Sequence, residues 1–223
     1  MKLVKCGKIA IASLCILSMA AGAAMPALAV NPAGPSSLTQ LEECNAADEQ
    51  IAAIRAAAEK VKVSFDEVDR IWDFNSPFQE KAGKKAVCNT SPWMFIIDGE
   101  SDVYFNIDFT YFGSQPMDLD TVVIRAGDTK YSFECDPDYT DSAYIKDTKS
   151  YMATSSFDLD DEMVGWLRDM LAQEKVIVRF ADGGKTFDYT WTAEDRQAVT
   201  DMINLYDLLK AATPEVRAQA LNR

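Results

Sequence analysis

The sequence contains no histidine. That absence excludes Ser-His-Asp and Cys-His nucleophilic catalysis, histidine-ligated zinc and a histidine pH switch. Basic residues are scarce as well: 22 Lys and Arg stand against 35 Asp and Glu, a formal net charge of −13. A surplus of that sign repels nucleic acid, anionic lipid and anionic wall polymers. It suits solubility, a cationic partner or a bound metal ion. Glycine and proline are few, at ten and eight, and no low-complexity tract or internal repeat appears. Beyond residue 29 no apolar run approaches the roughly 20 residues that a membrane-spanning helix needs.

What is present begins with an export signal. Lys2, Lys5 and Lys8 form a positive region, Ile9 to Ala24 is small and apolar, and Ala27-Leu28-Ala29 supplies an A-x-A cleavage pattern. Residues 1–29 therefore read as a signal peptide, and the expected mature chain runs from Val30 to Arg223 in the periplasm or outside the cell. An uncleaved anchor is the alternative. The intact mass of the exported protein separates the two: it should begin at Val30, and a mass retaining Met1 to Ala29 would favour the anchor. Lipidation is not expected, because Leu14 precedes Cys15 where a lipoprotein signal needs a small residue. Lys2, Lys5 and Lys8 leave with the signal, so 19 basic residues then face 35 acids, a balance of −16.

Cys6 and Cys15 also leave, so Cys44, Cys88 and Cys135 remain in an oxidising compartment, where an odd number allows one intrachain bridge at most. Cys88 lies just before one expected strand and Cys135 at the end of another. Strand ends on a shared sheet edge can meet, so a Cys88–Cys135 disulfide is expected, with Cys44 free in a helix.

The stretch from Asp102 to Phe112 reads as the central strand. Val103, Phe105, Ile107, Phe109 and Tyr111 alternate with Asp102, Asn106, Asp108 and Thr110, which gives one core face and one polar face. Residues 30–37 form a turn-rich leader. Residues 38–74 read as a helical segment, because Cys44, Ala47, Ile51, Ile54, Ala58, Val61, Phe65, Val68 and Trp72 follow 3,4-spacing. Within it, Ser64-Phe-Asp-Glu67 reads as a capping box that starts a second short helix. The segment is expected to pack on its own sheet as a monomer, the alternative being a helix-mediated dimer through this seam. Residues 75–223 then form the α+β domain. Lys81-Ala-Gly-Lys-Lys85 reads as a solvated basic turn. Strands are expected at Trp93–Ile97, Thr121–Arg125, Lys130–Cys135, Tyr151–Phe157, Val176–Phe180 and Thr186–Trp191. Helices are expected after Asp158, after the Thr192 cap and after Thr213-Pro214. Hairpin connections imply an α+β fold: an antiparallel sheet of about six strands, amphipathic helices mainly on one face, and a preceding N-terminal helix.

Four features have the residue types that carry chemistry. Asp136, Asp138 and Asp141 have ligand-like spacing for calcium, a hard cation. However, Asp141 stands where a calcium loop has its turn glycine, and an acidic, Pro-containing loop is the simpler account. Asp158, Asp160, Asp161 and Glu162 could pair as acid and base, although a helix cap explains them. Trp72, Trp93, Trp166 and Trp191 could form a ligand platform, although each falls on or near a core face. Arg125 and Arg179 sit mid-strand, and cross-strand pairing with Glu134 or Asp188 is the simpler account. The closing pattern, a strand with Val178-Arg179-Phe180, a glycine turn, a strand and an amphipathic helix, is similar to that of uncharacterised exported bacterial proteins. The resemblance has no specific motif and implies no activity. With no catalytic constellation and no cofactor motif, the expected function is an exported, non-catalytic domain that binds a protein or envelope component. A carboxylate-based hydrolase and a calcium-dependent domain are the alternatives.

Overall fold

The computed structural model describes Ser37 to Asn222, with side chains from Cys44 onward. The expected signal and all but the last residue of the leader lie outside the described residues. In chain order the strands are β1 (Lys62–Asp66), β2 (Ile71–Asn75), β3 (Asn89–Ile97), β4 (Tyr104–Gly113), β5 (Thr121–Ala126), β6 (Thr129–Glu134), β7 (Thr140–Ile145), β8 (Ser150–Leu159), β9 (Val176–Asp182) and β10 (Lys185–Thr190). The helices are α1 (Ser37–Ala58), α2 (Gln79–Lys85), α3 (Asp161–Leu171), α4 (Ala193–Ala211) and α5 (Pro214–Leu221). The expected α+β fold with a six-stranded antiparallel sheet holds, and the remaining four strands form a second antiparallel sheet. The strand orders are β1-β2-β3-β4-β8-β7 and β10-β9-β5-β6.

β4 is interior to the larger sheet, and its apolar alternation fixes where the core lies. Phe105, Ile107, Phe109 and Tyr111 are all buried on one face. At one end of that face Phe105 stacks on Tyr206 of α4, with centroids 5.1 Å apart. At the other end Phe109 meets Phe133 of β6 at 5.4 Å, and Tyr111 presents an edge to Phe180 of β9 at 5.8 Å. A helix and the second sheet thus share the cover of a single strand. Each large side chain so buried stabilises by about 1.5–3 kcal/mol relative to exposure. The second sheet turns Val122, Ile124, Val178 and Phe180 inward. Its outer face carries the bidentate pair Arg179–Asp188, at 2.6 and 2.7 Å, as cross-strand pairing requires. Arg125 instead donates to the Gly127 carbonyl, because Glu134 stands opposite Thr121, four residues away along β5.

Three arginines close helix ends. Arg196 of α4 donates to the Gln173 and Glu174 carbonyls just past α3. Arg217 of α5 donates to the Leu209 carbonyl of α4 at 2.6 Å, and Arg55 of α1 to the Gln219 carbonyl of α5 at 2.7 Å. Carbonyls with no intrahelical partner and the negative end of the helix dipole both favour a cation there. The helix starts follow the sequence: Asp160 caps α3, Thr192 and Asp195 form a reciprocal capping box on α4, and Thr213 caps α5.

Four expectations are corrected. The helical seam stops at Ala58, because Lys62–Asp66 and Ile71–Asn75 pair as a hairpin at the edge of the larger sheet. Phe65 and Trp72 lie opposite each other across that hairpin, rings 4.5 Å apart, so a cross-strand pair mimicked helical spacing. Ser64-Phe-Asp-Glu67 is no capping box: the Asp66 carboxylate accepts from the Val68 and Asp69 amides and closes the hairpin turn. Lys81 to Lys85 belong to α2, where Lys84 pairs with Glu80 and Lys81 with Glu194. The acidic stretch after Cys135, read as a loop, needs no such correction: it holds a 3-10 turn, Pro137–Tyr139, and leads into β7.

The Cys88–Cys135 disulfide is the fourth. All three described cysteines are free thiols. Cys88 precedes β3 of the larger sheet, whereas Cys135 follows β6 of the smaller one, so the two strand ends do not share an edge. The Cys88 thiol instead accepts from the Phe112 amide and donates to the Phe112 carbonyl. Burial pushes both the Cys88 and Cys135 thiols up in pKa, which lowers their reactivity. Thiol titration of unreduced protein should therefore show exposed Cys44 reacting first and three thiols per mature chain after unfolding. A single thiol after unfolding would contradict this arrangement.

Candidate functional site

The polar face of β4 is the unexpected part of the molecule. Asn106, Asp108 and Thr110 alternate with the core residues and read as solvent-facing, yet all three are buried. β3 and β8 flank β4 and present matching polar residues, so the register builds three rows across the sheet. Asn89, Thr110 and Thr154 form the first, Ser91, Asp108 and Ser156 the second, and Trp93, Asn106 and Asp158 the third.

The first two rows are internally satisfied. Thr154 donates to Thr110 at 3.1 Å, and Ser91 donates to Asn89 at 2.8 Å. Asp108 accepts from Ser156 at 2.7 Å, from the Trp93 indole at 2.9 Å and from Gln79 of α2 at 3.2 Å. Burial raises the Asp108 pKa, and the three donors oppose that shift without cancelling it. One consequence is that the Trp93 indole is held in place from behind.

The third row is different. Asn106 is 3% exposed, and its amide nitrogen has no hydrogen-bond partner. Among the described residues the only other buried side-chain polar atom without a hydrogen bond is Asp201 Oδ1, which has Lys60 Nζ at 3.8 Å. An unmatched buried amide costs roughly 1–3 kcal/mol, so it calls for an explanation. Asn106 lines a cavity of about 380 Å³ at the end of the row, together with Trp93, Phe95, Asp136, Tyr139 and Asp158. Asp136, Tyr139 and Asp158 are exposed and form the rim, while Phe133 and Phe157 lie in its wall. Phe95 stacks against Tyr104 at 4.5 Å on one side and lies 6.2 Å from Trp93 on the other, so a packed aromatic wall supports the cavity.

Larger clefts lie along the β1–β2 hairpin, between Arg55, Val61, Trp72 and Leu221, and between Lys60, Ser76 and Glu80. Neither includes a buried polar group without a partner.

The residues singled out from the sequence are scattered. Asp136 reaches the cavity rim, but its carboxylate also accepts the Asp138 amide at 2.9 Å and caps the 3-10 turn. Asp138 and Asp141 do not line the cavity, and Asp141 sits within β7 opposite Thr154. No three metal-ligating side chains converge among the described residues. Asp160 caps α3 and Asp161 pairs with Lys210 and Tyr206, whereas Asp158 joins the rim. Of the tryptophans, Trp191 is buried and donates to Thr90, Trp166 packs on Tyr131, Trp72 packs on Phe65, and Trp93 alone reaches the cavity. Asn106 was missed. The signal that could have found it is Asn-x-Asp-x-Thr on an interior strand whose neighbours place Ser or Thr at facing positions.

No known protein family, curated protein or solved structure matches this chain. Among the described residues no helix is long and apolar enough to cross a membrane.

Proposed function

We propose that the protein is exported and acts as a non-catalytic binding domain whose ligand seats in the cavity at Trp93, Asn106 and Asp158. The observation that carries this reading is the buried Asn106 amide, left without a partner in a residue that lines a cavity, while the other buried polar side-chain atoms on the same sheet face are hydrogen-bonded. A fold that needed the amide only for its own stability would have paired it, as it paired Asp108 three ways. Locked Trp93 and the stacked Phe95 and Tyr104 provide rigid walls, which lowers the ordering cost of binding. The N-terminal signal pattern and the absence of histidine support an exported role outside the common hydrolytic mechanisms.

The test is a pull-down from the host's envelope fraction with purified mature protein, run beside the Asn106→Leu variant. The wild type should retain a component that the variant loses. Equal retention by both proteins would place the binding surface elsewhere.

A further inference from the structure

The cavity lies where β8 loses its outer neighbour. β7 pairs with β8 from Ser150 to Ser155, and the pairing ends at Thr140 opposite Ser155. Before Thr140 the chain leaves the sheet through the 3-10 turn at Pro137–Tyr139. β8 itself continues to Leu159, paired on its inner side with β4 as far as Phe105. Residues 156–159 therefore have no strand on their outer side among the described residues. In a strand, alternate residues turn their N–H and C=O toward such an edge, which makes it a template for another extended chain.

Three lining residues of the cavity, Ser156, Phe157 and Asp158, are the residues of this free edge. The carboxylates of Asp136 and Asp158 stand at its rim, and no Lys or Arg is among its described lining residues. The chain as a whole carries the same sign of charge.

We propose that the ligand is an extended, basic peptide segment that adds to the free edge of β8 as a strand in line with β7. This inference rests on the cavity being the binding site and names what occupies it. Main-chain hydrogen bonds to residues 156–159 supply affinity, and alternate side chains supply specificity, as in other additions of a strand to a sheet edge. Lys or Arg side chains meet Asp136 and Asp158. An inward side chain ending in a carbonyl or hydroxyl accepts from Asn106.

A random peptide library displayed on phage, panned against the full mature chain at low salt, supplies the probe. A synthetic copy of the most enriched peptide is then measured by fluorescence anisotropy and by amide hydrogen exchange. The enriched sequences should be basic. Their affinity should fall about tenfold or more in the Asp136→Asn/Asp158→Asn double variant and weaken with added salt. The edge-facing amides, alternate ones among residues 156–159, should gain protection when the peptide binds. Acidic or neutral enriched sequences, equal binding by the double variant, no new protection at residues 156–159, or no enrichment at all would each overturn the peptide assignment. If the envelope component lost by Asn106→Leu is then a non-peptide molecule, the cavity remains the site and only the ligand class falls. If that variant loses nothing, the site itself falls.

Discussion

Arg217→Ala is expected to destabilise the fold by roughly 3–5 kcal/mol, a large share of the stability of a domain this size. Arg217 is 3% exposed. Its guanidinium donates to the Leu209 carbonyl at 2.6 Å, to Glu100 at 3.1 Å and to Ser101 at 2.9 Å. It therefore ties the end of α4 and the start of α5 to the turn between β3 and β4. Burial lowers the pKa of the group and nearby Asp102 opposes that, so the cation is held by carbonyls instead of water. Truncation removes a donor from three carbonyls, of which only that of Leu209 keeps another, the Ala212 amide, and it opens a space beneath α5. Arg217→Lys keeps the charge but has no planar fork to reach three carbonyls, so it should lose an intermediate amount. Urea unfolding measures both. A change below about 1 kcal/mol for the alanine variant would mean that water replaces the guanidinium without penalty.

Asp195→Ala should cost about 2–4 kcal/mol, because one carboxylate performs two tasks. One oxygen accepts the buried Thr90 amide of β3 at 2.9 Å. The other accepts the Thr192 amide and hydroxyl, both at 2.7 Å, and completes the capping box of α4. The residue thus joins the start of the longest C-terminal helix to the larger sheet. Losing the cap alone costs about 1 kcal/mol, and leaving the Thr90 amide unmatched adds about 1–3 kcal/mol. Asp195→Asn keeps a carbonyl oxygen for Thr90 and should be milder. Thermal melts of the two variants would separate the tasks. Equal losses would show that the Thr90 contact contributes nothing beyond the cap.

The elements legible in the sequence were those whose signals are local. The core face of β4, the β5–β6 hairpin, the caps at Asp160, Thr192 and Thr213, and the tight turn after β9 were all readable, because period-2 alternation and capping chemistry act within a few residues. The N-terminal hairpin was not, because Val61, Phe65, Val68 and Trp72 keep helical spacing while Phe65 and Trp72 pair across strands. The division of the strands between a six-stranded and a four-stranded sheet was not legible, because strand order depends on contacts far apart in sequence. The disulfide expectation failed for that same reason: Cys88 and Cys135 belong to different sheets. The candidate site was largely hidden. Asn106, Asp108 and Thr110 read as an ordinary wet face, yet all three are buried, and Asp108 is held by Gln79, Trp93 and Ser156 from three other elements. Of the site's residues, only Asp136, Asp158 and Trp93 carry a chemical signal in the sequence, each of a different kind.

On the proposed function, Asn106 is kept for a ligand at the expense of the fold. Urea unfolding of Asn106→Leu tests this most directly, because leucine keeps the branched outline of the asparagine side chain and needs no hydrogen bond. Stability should rise by roughly 1–2 kcal/mol, from removing an unmatched buried amide. A fall of similar size would contradict it, since the amide would then be serving the fold itself.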